Sequence, residues 1–429
     1  MHTQHEIPSV YRLSGPALIP EELKKRLEAD LNKSHQGWWP EDLGEYLIDQ
    51  FQIDIRARYA GQSIKNPFGK GSGQLTMTPH QISDAAEAGL GFAVLKTVIA
   101  QDKAGHQSMS EWALAEARMV VEPIQGRNSG RDGWTVTWKG RGWSRSFDDY
   151  LALFRDSLSI TNETGICIAP SVKFHLPGDL SEEWRISEYE YVLDKLTEVW
   201  RKSGKKNQPM PIEKDFSPTL AGDDRSRHEA VVLRWINEIL PIMRHSAPFQ
   251  LIIGLKLMNA IGPISFQENL LKMTLEMEKS ADFLIYANRL FDSEKIFESH
   301  RGVAYGGPDL SDRNIAILDL CQNEINRSGM EISGTGDVDS GRSAVEYALR
   351  GCQSVQIHTY FQTPEHGNTG GSGKRLRRKL ARLFFDPEEG LVAWLIHARV
   401  NWALVDENGI TRWLDLPKKR LMILIRELD

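Results

Sequence analysis

The chain has few cysteines, and their spacing excludes several kinds of site. Its 429 residues include 3 cysteines, Cys167, Cys321 and Cys352, and none belongs to a C-x-x-C pair. Iron–sulfur clusters and structural zinc sites use closely spaced cysteines, so the sequence predicts no metal site. An odd, low cysteine count is also typical of a reducing compartment, which favours a cytoplasmic protein.

Signals for membrane insertion and for general nucleic-acid binding are also missing. The sequence has no run of about 18 apolar residues, the length needed to span a membrane. Its first residues lack the charged-then-apolar layout of a signal peptide. The net charge of −6 disfavours a nucleic-acid-binding protein, since such proteins carry a basic field. A local basic run at 374–379 is interpreted as a solvated helix face.

The chain does contain a long alternation of short apolar runs and helical patterns from about residue 62 onward. Eight strands alternating with helices predict an α/β fold, a (β/α)₈ TIM barrel with its chemistry at the strand carboxyl ends. The predicted strands are 66–72, 91–98, 165–171, 210–216, 251–257, 281–287, 330–333 and 354–358. The predicted helices between them are 78–88, 147–157, 186–201, 224–244, 265–279, 311–326 and 340–349.

Extensions and one insertion surround the predicted barrel of residues 61–362. Residues 1–60 show helical spacing and are predicted to pack on the barrel, with a lid or membrane-surface hairpin as the alternative. Residues 101–143 have little helical periodicity and predict a small β-excursion after the second strand. Residues 363–429 predict a loop followed by helices packed on the barrel.

The stretch 330–360 indicates a strand, a glycine turn, a helix and a second strand. The turn contains Gly334 and Gly336, where backbone N–H groups could hold a phosphate. The alternative is an ordinary βα turn, because glycines close many such units.

Several polar residues fall at predicted strand ends. Lys96 and Lys256 interrupt apolar strands, so each is expected either to pair with a carboxylate or to face a ligand. Asn288 ends the sixth strand, and Gly306-Gly307 follows it as a glycine pair. Ser217 could move a proton with an activating neighbour, although a turn residue is the alternative.

Seven sequence blocks occur in an order and spacing that resemble the dihydroorotate dehydrogenase family. They are also similar to the flavin domain of dihydropyrimidine dehydrogenase. The blocks are Asn66-Pro-Phe-Gly-Lys-Gly-Ser-Gly, the run 85–98, Gly254-Leu-Lys-Leu, Tyr286-Ala-Asn, Gly306-Gly, Ile332-Ser-Gly-Thr-Gly and Val355-Gln-Ile-His-Thr.

The resemblance implies an FMN-dependent oxidoreductase that transfers hydride between flavin N5 and a small substrate. Ser217 and Lys96 would be the catalytic residues. The implied substrate-binding residues are Lys214, Thr219, Asn288 and Arg145. The implied FMN-binding residues are Gly71, Ser72, Lys96, Lys256, Asn288, Gly306, Gly307, Gly334, Gly336, Asp337, His358 and Thr359.

The chain departs from the family pattern in two regions. Lys214 and Thr219 stand where the family has substrate-binding asparagines, which favours a substrate other than dihydroorotate. Asp337 and His358 replace glycines near the expected phosphate, and the carboxylate opposes phosphate charge.

Three alternatives therefore stay open. The chain could be a genuine dihydroorotate dehydrogenase of pyrimidine metabolism, a flavin-dependent isomerase, or a barrel that has lost catalysis and acts as a binding subunit. An electron acceptor would be a separate molecule, because the chain lacks cluster cysteines, and a homodimer is compatible with the resemblance.

Overall fold

The computed structural model describes residues 13, 15–110, 122–126, 130–137, 142–216, 229–276, 281–297, 299–363 and 372–420. The strands are β1 Ile53–Asp54, β2 Ala57–Tyr59, β3 Gln62–Ile64, β4 Phe68–Lys70, β5 Phe92–Val94, β6 Val98–Ile99, β7 Glu122–Gln125, β8 Asp132–Thr137, β9 Cys167–Ala169, β10 Ser171–Lys173, β11 Met210–Asp215, β12 Leu251–Lys256, β13 Asn259–Ala260, β14 Phe283–Tyr286, β15 Leu290–Phe297, β16 His300–Gly306, β17 Glu331–Thr335, β18 Cys352–Ile357 and β19 Thr411–Arg412.

The helices lie before, between and after these strands, and one of them, Thr359–Gln362, is a single turn. They are α1 Glu21–His35, α2 Leu43–Phe51, α3 Pro79–Ala88, α4 Phe147–Thr164, α5 Ile186–Lys202, α6 Glu229–Ser246, α7 Ile264–Glu276, α8 Pro308–Leu320, α9 Gln322–Ser328, α10 Gly341–Leu349, α11 Thr359–Gln362, α12 Ser372–Phe385 and α13 Leu391–Trp402.

The main sheet is a curled parallel sheet of ten strands, in the order β6-β10-β11-β12-β14-β17-β18-β4-β5-β9. All eight predicted strands occur in it, and the predicted α/β class with alternating helices is confirmed. The second predicted strand forms as β5 and β6, and the third as β9 and β10. Pro170 separates β9 from β10 and has no backbone N–H to donate.

Local sequence signals explain where several helices begin and end. Helix α4 begins after Ser146, whose hydroxyl accepts from Asp149 N while the Asp149 carboxylate accepts from Ser146 N. Gly165 then ends α4 in a left-handed conformation. The predicted helix 311–326 forms instead as α8 and α9, because Cys321 leaves helical geometry with a ψ of 14°.

The predicted β-excursion after the second strand is confirmed in its described part. Strands β7 and β8 join β13, β15 and β16 in a second sheet of five strands. The hairpin of β15 and β16 is not among the predicted strands. Residues 304–306 of β16 pair with β8, which comes from a distant part of the chain, and local periodicity does not reveal this partner.

The segments at the two ends of the chain pack together beside the main sheet. Strand β1 pairs with β19, and Trp39 packs against Phe384 and Phe385 of α12. Helices α12 and α13 contact α3 and α10, respectively. No helix in the part of the chain that the structure covers is long and apolar enough to cross a membrane.

A buried ionic cluster fixes these end segments to α10. The Arg350 guanidinium lies 2.5 Å from the Glu346 carboxylate, and both side chains are fully buried. Asp319 bridges Arg350 and Arg420, at 3.1 Å and 2.8 Å. Glu346 also accepts a hydrogen bond from Leu13 N at 2.8 Å.

Removing the arginine from this cluster is expected to destabilise the fold strongly. Arg350→Ala leaves two carboxylates without their buried partner, so the free energy of unfolding should fall by about 3–5 kcal/mol. Chemical denaturation measures this change. Arg327→Ala is the control, because Arg327 pairs with Glu276 at an exposed site, and it should have little effect. Equal losses in the two variants would contradict this account of the cluster.

Candidate functional site

The carboxyl ends of the main-sheet strands form a partly open surface on one side. Residues after β4, β14, β17 and β18 are half-buried: Ser72, Asn288, Arg289, Asp337 and His358. Residues at the ends of β5, β10 and β11 are instead buried, among them Lys96, Lys173 and Lys214. The opening therefore lies over β4, β14, β17 and β18, and buried lysines flank it.

Lys256 lies at the end of β12 and is 1% exposed. Its Nζ donates to Ser72 Oγ at 3.0 Å and lies 3.6 Å from Glu213 Oε2. The expected carboxylate is therefore present near this lysine, and its contact with Ser72 lies beside the opening, while contact with a ligand stays a prediction. An ammonium in this position stabilises negative charge that arrives at the opening.

A hydroxyl network holds Ser72 in place. Ser72 Oγ lies 3.1 Å from Thr97 Oγ1. Thr97 Oγ1 donates to Asp215 Oδ2 at 2.8 Å and lies 2.9 Å from Ser171 Oγ. The network spans β4, β6, β10 and β11, so the position of Lys256 is fixed by several strands.

Glu213 is the fully buried carboxyl group on the other side of Lys256. Its Oε1 accepts from Tyr59 OH at 2.8 Å and from Gln356 Nε2 at 2.5 Å. Burial raises the pKa of the Glu213 carboxyl, while Lys256 and the two donors oppose that rise.

Lys214, predicted as a substrate-binding residue, is fully buried. Its Nζ donates to the Asp215 carbonyl at 3.1 Å and lies 4.5 Å from the Phe216 ring centroid. It forms no ion pair with a carboxylate within the described ranges. Burial, and then repulsion from Lys173, holds the pKa of the Lys214 amine well below its usual value.

Arg289 is a candidate site residue that the sequence analysis did not identify. It follows Asn288 directly, and its buried Nη1 has no hydrogen-bond partner among the described atoms. Burial lowers the pKa of the guanidinium to about 10, and attraction to Asp215 partly offsets that change. The sequence signal that could have identified Arg289 is its position, one residue after Asn288 at the end of a predicted strand.

Positive charge exceeds negative charge at these strand ends. Carboxylates there are Glu213, Asp215, Asp337 and Asp339, and the first three contact or attract a cation. The cationic residues at or just beyond the strand ends are Lys70, Lys96, Lys173, Lys214, Lys256 and Arg289. This arrangement favours an anionic ligand.

The expected phosphate turn is acidic. Gly336 and Asp337 have positive φ angles of 113° and 53°, which form the predicted glycine-type turn. Burial, followed by repulsion from Asp339, raises the pKa of the Asp337 carboxyl to about 7. Asp312 adds to this rise and Arg131 opposes it, so Asp337 titrates near neutral pH.

Several glycines predicted to bind a cofactor are explained by close packing. A Cβ at Gly307 would lie 2.4 Å from Gly133 Cα, and one at Gly334 would lie 2.7 Å from the Tyr347 ring. Gly306 is a residue of β16 paired with Trp134. Gly71 remains beside the opening, where its N–H donates to the Ile357 carbonyl at 3.1 Å.

His358 is neutral and is fixed by the backbone. Its Nε2 accepts from Gln74 N at 3.1 Å, so the ring proton is on Nδ1. Burial, with repulsion from Lys96 and Arg289, lowers the pKa of the imidazole to about 3. It therefore adds no positive charge for a phosphate. Thr359 follows as the first residue of α11.

Three predicted residues are not among the side chains described at this site. Ser217 and Thr219 lie outside the described residues. Arg145 is exposed on the loop before α4, with its guanidinium 5.7 Å from the Trp143 ring centroid. The part of the chain covered by the structure also contains no group of three or more histidine, cysteine or acidic residues able to hold a metal ion.

Comparison with known proteins identifies no relative. No family model matches the chain, and no curated protein matches it. The functional argument consequently depends on the site itself and on the resemblance seen in the sequence.

Replacing the buried Lys214 amine by an apolar group should stabilise the ligand-free protein. Lys214→Met keeps most of the side-chain length and removes an amine that has no ionic partner among the described residues, so we expect a gain of about 1–3 kcal/mol at pH 7. The folded state binds the proton less tightly than the unfolded state, whose pKa is 10.5. The advantage should therefore shrink as the pH rises towards that value.

Urea denaturation at several pH values measures this effect. The control is Lys202→Met, at a side chain that is 75% exposed and should show no comparable change. A loss of stability in Lys214→Met would contradict the view that Lys214 destabilises the ligand-free fold.

Proposed function

We propose that the chain is an FMN-dependent oxidoreductase similar to dihydroorotate dehydrogenase, acting on a small anionic substrate other than dihydroorotate. The observation that carries the proposal is the position of Lys256, buried beneath the opening and hydrogen-bonded to Ser72. A cation fixed there would stabilise negative charge on a flavin ring.

A (β/α)₈ barrel spanning 61–362 is part of this proposal. Strand β5 pairs with β9, β10 pairs with β11, and only Pro170 separates β9 from β10. At the other side β18 pairs with β4, and β4 pairs with β5. These pairings support a circuit of eight strand positions, in which the second and third strands are each interrupted.

The residues present fit FMN, on one condition. Ser72, Lys96 and Lys256 provide polar and cationic groups for the ring edge. Backbone N–H groups of Gly336, Asp337 and Thr359 would hold the phosphate. The condition is that Asp337 is protonated, because an ionised carboxylate repels phosphate and a protonated one can donate a hydrogen bond to it.

Bound FMN would supply a ring that accepts a hydride from the substrate. Lys256 would stabilise the resulting negative charge, and Ser72 with Thr97 would hold Lys256 in position. Ser217 would take the proton from the substrate carbon, and Lys96 would border flavin and substrate. Arg289 would bind an acidic group of the substrate, since the Nη1 of its guanidinium has no hydrogen-bond partner among the described atoms.

The substrate class follows from the residues that differ from the family. Lys214 replaces an amide side chain by a cation, and together with Arg289 this favours a substrate with more negative charge. A cytoplasmic location, a separate electron acceptor and a homodimer belong to the same proposal. Genuine dihydroorotate dehydrogenase activity is the nearest alternative, and dihydroorotate added without oxygen would then bleach the flavin.

A second candidate function is a binding barrel without catalysis. Asp337, Asp339 and Asp312 together favour it, because they place negative charge where phosphate would bind. The two functions are distinguished by whether the purified protein holds FMN.

Lys256→Met should separate cofactor binding from reactivity. We expect the wild type to show a flavin absorption spectrum, with FMN identified by mass after release. The variant should keep the fold and be reduced by dithionite at a lower potential. Its reduction by substrate should be slower by about 10²-fold. Lys202→Met is the matched surface control. A colourless wild type that takes up no added FMN would refute the proposed function.

FMN affinity should depend on the protonation of Asp337. Its folded pKa is about 7, so ionisation above that value adds negative charge beside the phosphate. We expect FMN to bind about tenfold more weakly at pH 8.5 than at pH 6, where one tenfold step corresponds to about 1.4 kcal/mol. Fluorescence titration measures both affinities. Asp337→Asn should flatten this dependence, and an unchanged pH profile would remove Asp337 from the phosphate site.

A further inference from the structure

The two carboxyl oxygens of Glu213 differ in their hydrogen bonding. Oε1 accepts hydrogen bonds from Tyr59 and Gln356. Oε2 is buried and has no hydrogen-bond partner in the described part of the chain. It lies 3.6 Å from Lys256 Nζ, too far for a hydrogen bond but close enough for a strong Coulomb interaction in a buried site.

The Lys256 ammonium therefore interacts with groups on two sides. Towards the opening its Nζ donates to Ser72, and on the other side it faces Glu213. Glu213 pairs in register with Gly254, two residues nearer the amino end of β12. A bound negative charge at the opening would compete with the Glu213 carboxylate for the same ammonium.

We propose that Glu213 is a positioning residue that sets the charge Lys256 presents to a bound anion, by taking up a proton at Oε2 when that anion binds. The proton comes from a solvent hydronium ion, whose O–H bond breaks to leave water, and it adds to an oxygen that has no hydrogen-bond donor among the described residues. As a result, the buried Lys256 ammonium does not face the bound anion and an ionised Glu213 carboxylate at the same time. The inference rests on the proposed function where it concerns FMN.

The surroundings of Glu213 are compatible with both protonation states. Lys256 and the Tyr59 hydroxyl favour the ionised carboxylate. Burial and the nearby Asp215 favour the neutral acid, and burial is the larger effect. Tyr150 also faces this charge, since the Glu213 carboxylate raises the pKa of its phenol.

The first test uses the protein without flavin. A carboxyl with a raised folded pKa gives stability that is complete below the unfolded pKa of 4.5 and is lost as the pH rises through the folded pKa. Glu213→Gln keeps the side-chain size and cannot ionise. Its unfolding free energy should therefore exceed that of the wild type increasingly as the pH rises from 5 to 8.

Two further variants make this test specific. Glu346→Gln is the same substitution at another fully buried carboxylate, and it should destabilise the protein because Arg350 loses one of its two carboxylate partners. Lys256→Met should enlarge the Glu213→Gln effect if the two groups are coupled. Parallel curves for the wild type and Glu213→Gln, or no coupling to Lys256, would overturn the proposal.

The second test uses FMN-loaded protein. In Glu213→Gln the ratio of affinities for reduced and oxidised FMN should rise about tenfold at pH 8 and should rise less at pH 5, because the raised pKa of the wild-type carboxyl makes it more protonated at the lower pH. A shift that is equal at both pH values would indicate a structural effect and overturn the proposal. Absence of FMN binding would refute the proposed function alone, and the flavin-free curves would still decide the role of Glu213.

Discussion

The structure at the strand ends of the main sheet depends on which partners stabilise the lysine side chains that are buried there. Burying an ammonium costs several kcal/mol unless partners replace its hydration. Lys256 has Ser72 and Glu213 as partners, and Lys70 donates to the Gln81 carbonyl at 3.0 Å. Among the described residues, Lys214 contacts the Asp215 carbonyl and an aromatic ring. An anionic ligand would offset part of this cost, so the cationic residues have a physical explanation in the proposed ligand.

The acidic groups impose a second condition on the same site. Glu213 and Asp337 are both carboxyls whose pKa is raised chiefly by burial. Glu213 lies on the inner side of Lys256, while Asp337 lies in the turn after β17. Each can accept a proton as negative charge arrives, which would couple ligand binding at the opening to pH. The protonation states of Glu213 and Asp337 would therefore affect ligand binding as much as the shape of the site does.

The sequence was sufficient for elements with strong local signals. The apolar runs that form β11 and β12 and the capped helix α4 could be predicted because periodicity and capping act locally. The hairpin β15–β16 could not, because its stability comes from pairing with β8. Lys256 and Ser72 could be placed at strand ends, whereas the importance of Thr97, Glu213 and Arg289 depends on which side of a strand each faces. For the glycine pair at Gly306 the sequence analysis predicted a role in cofactor binding, whereas in the structure the small size of these residues allows close packing of the chain.

The central claim is that the opening above Lys256 binds a flavin ring. The most direct measurement is a crystal structure of the protein grown with FMN. We predict ring density beside Ser72 and Lys256, with the phosphate near the Gly336 turn. Well-ordered crystals with no flavin at the opening, or with FMN bound elsewhere on the protein, would contradict the claim.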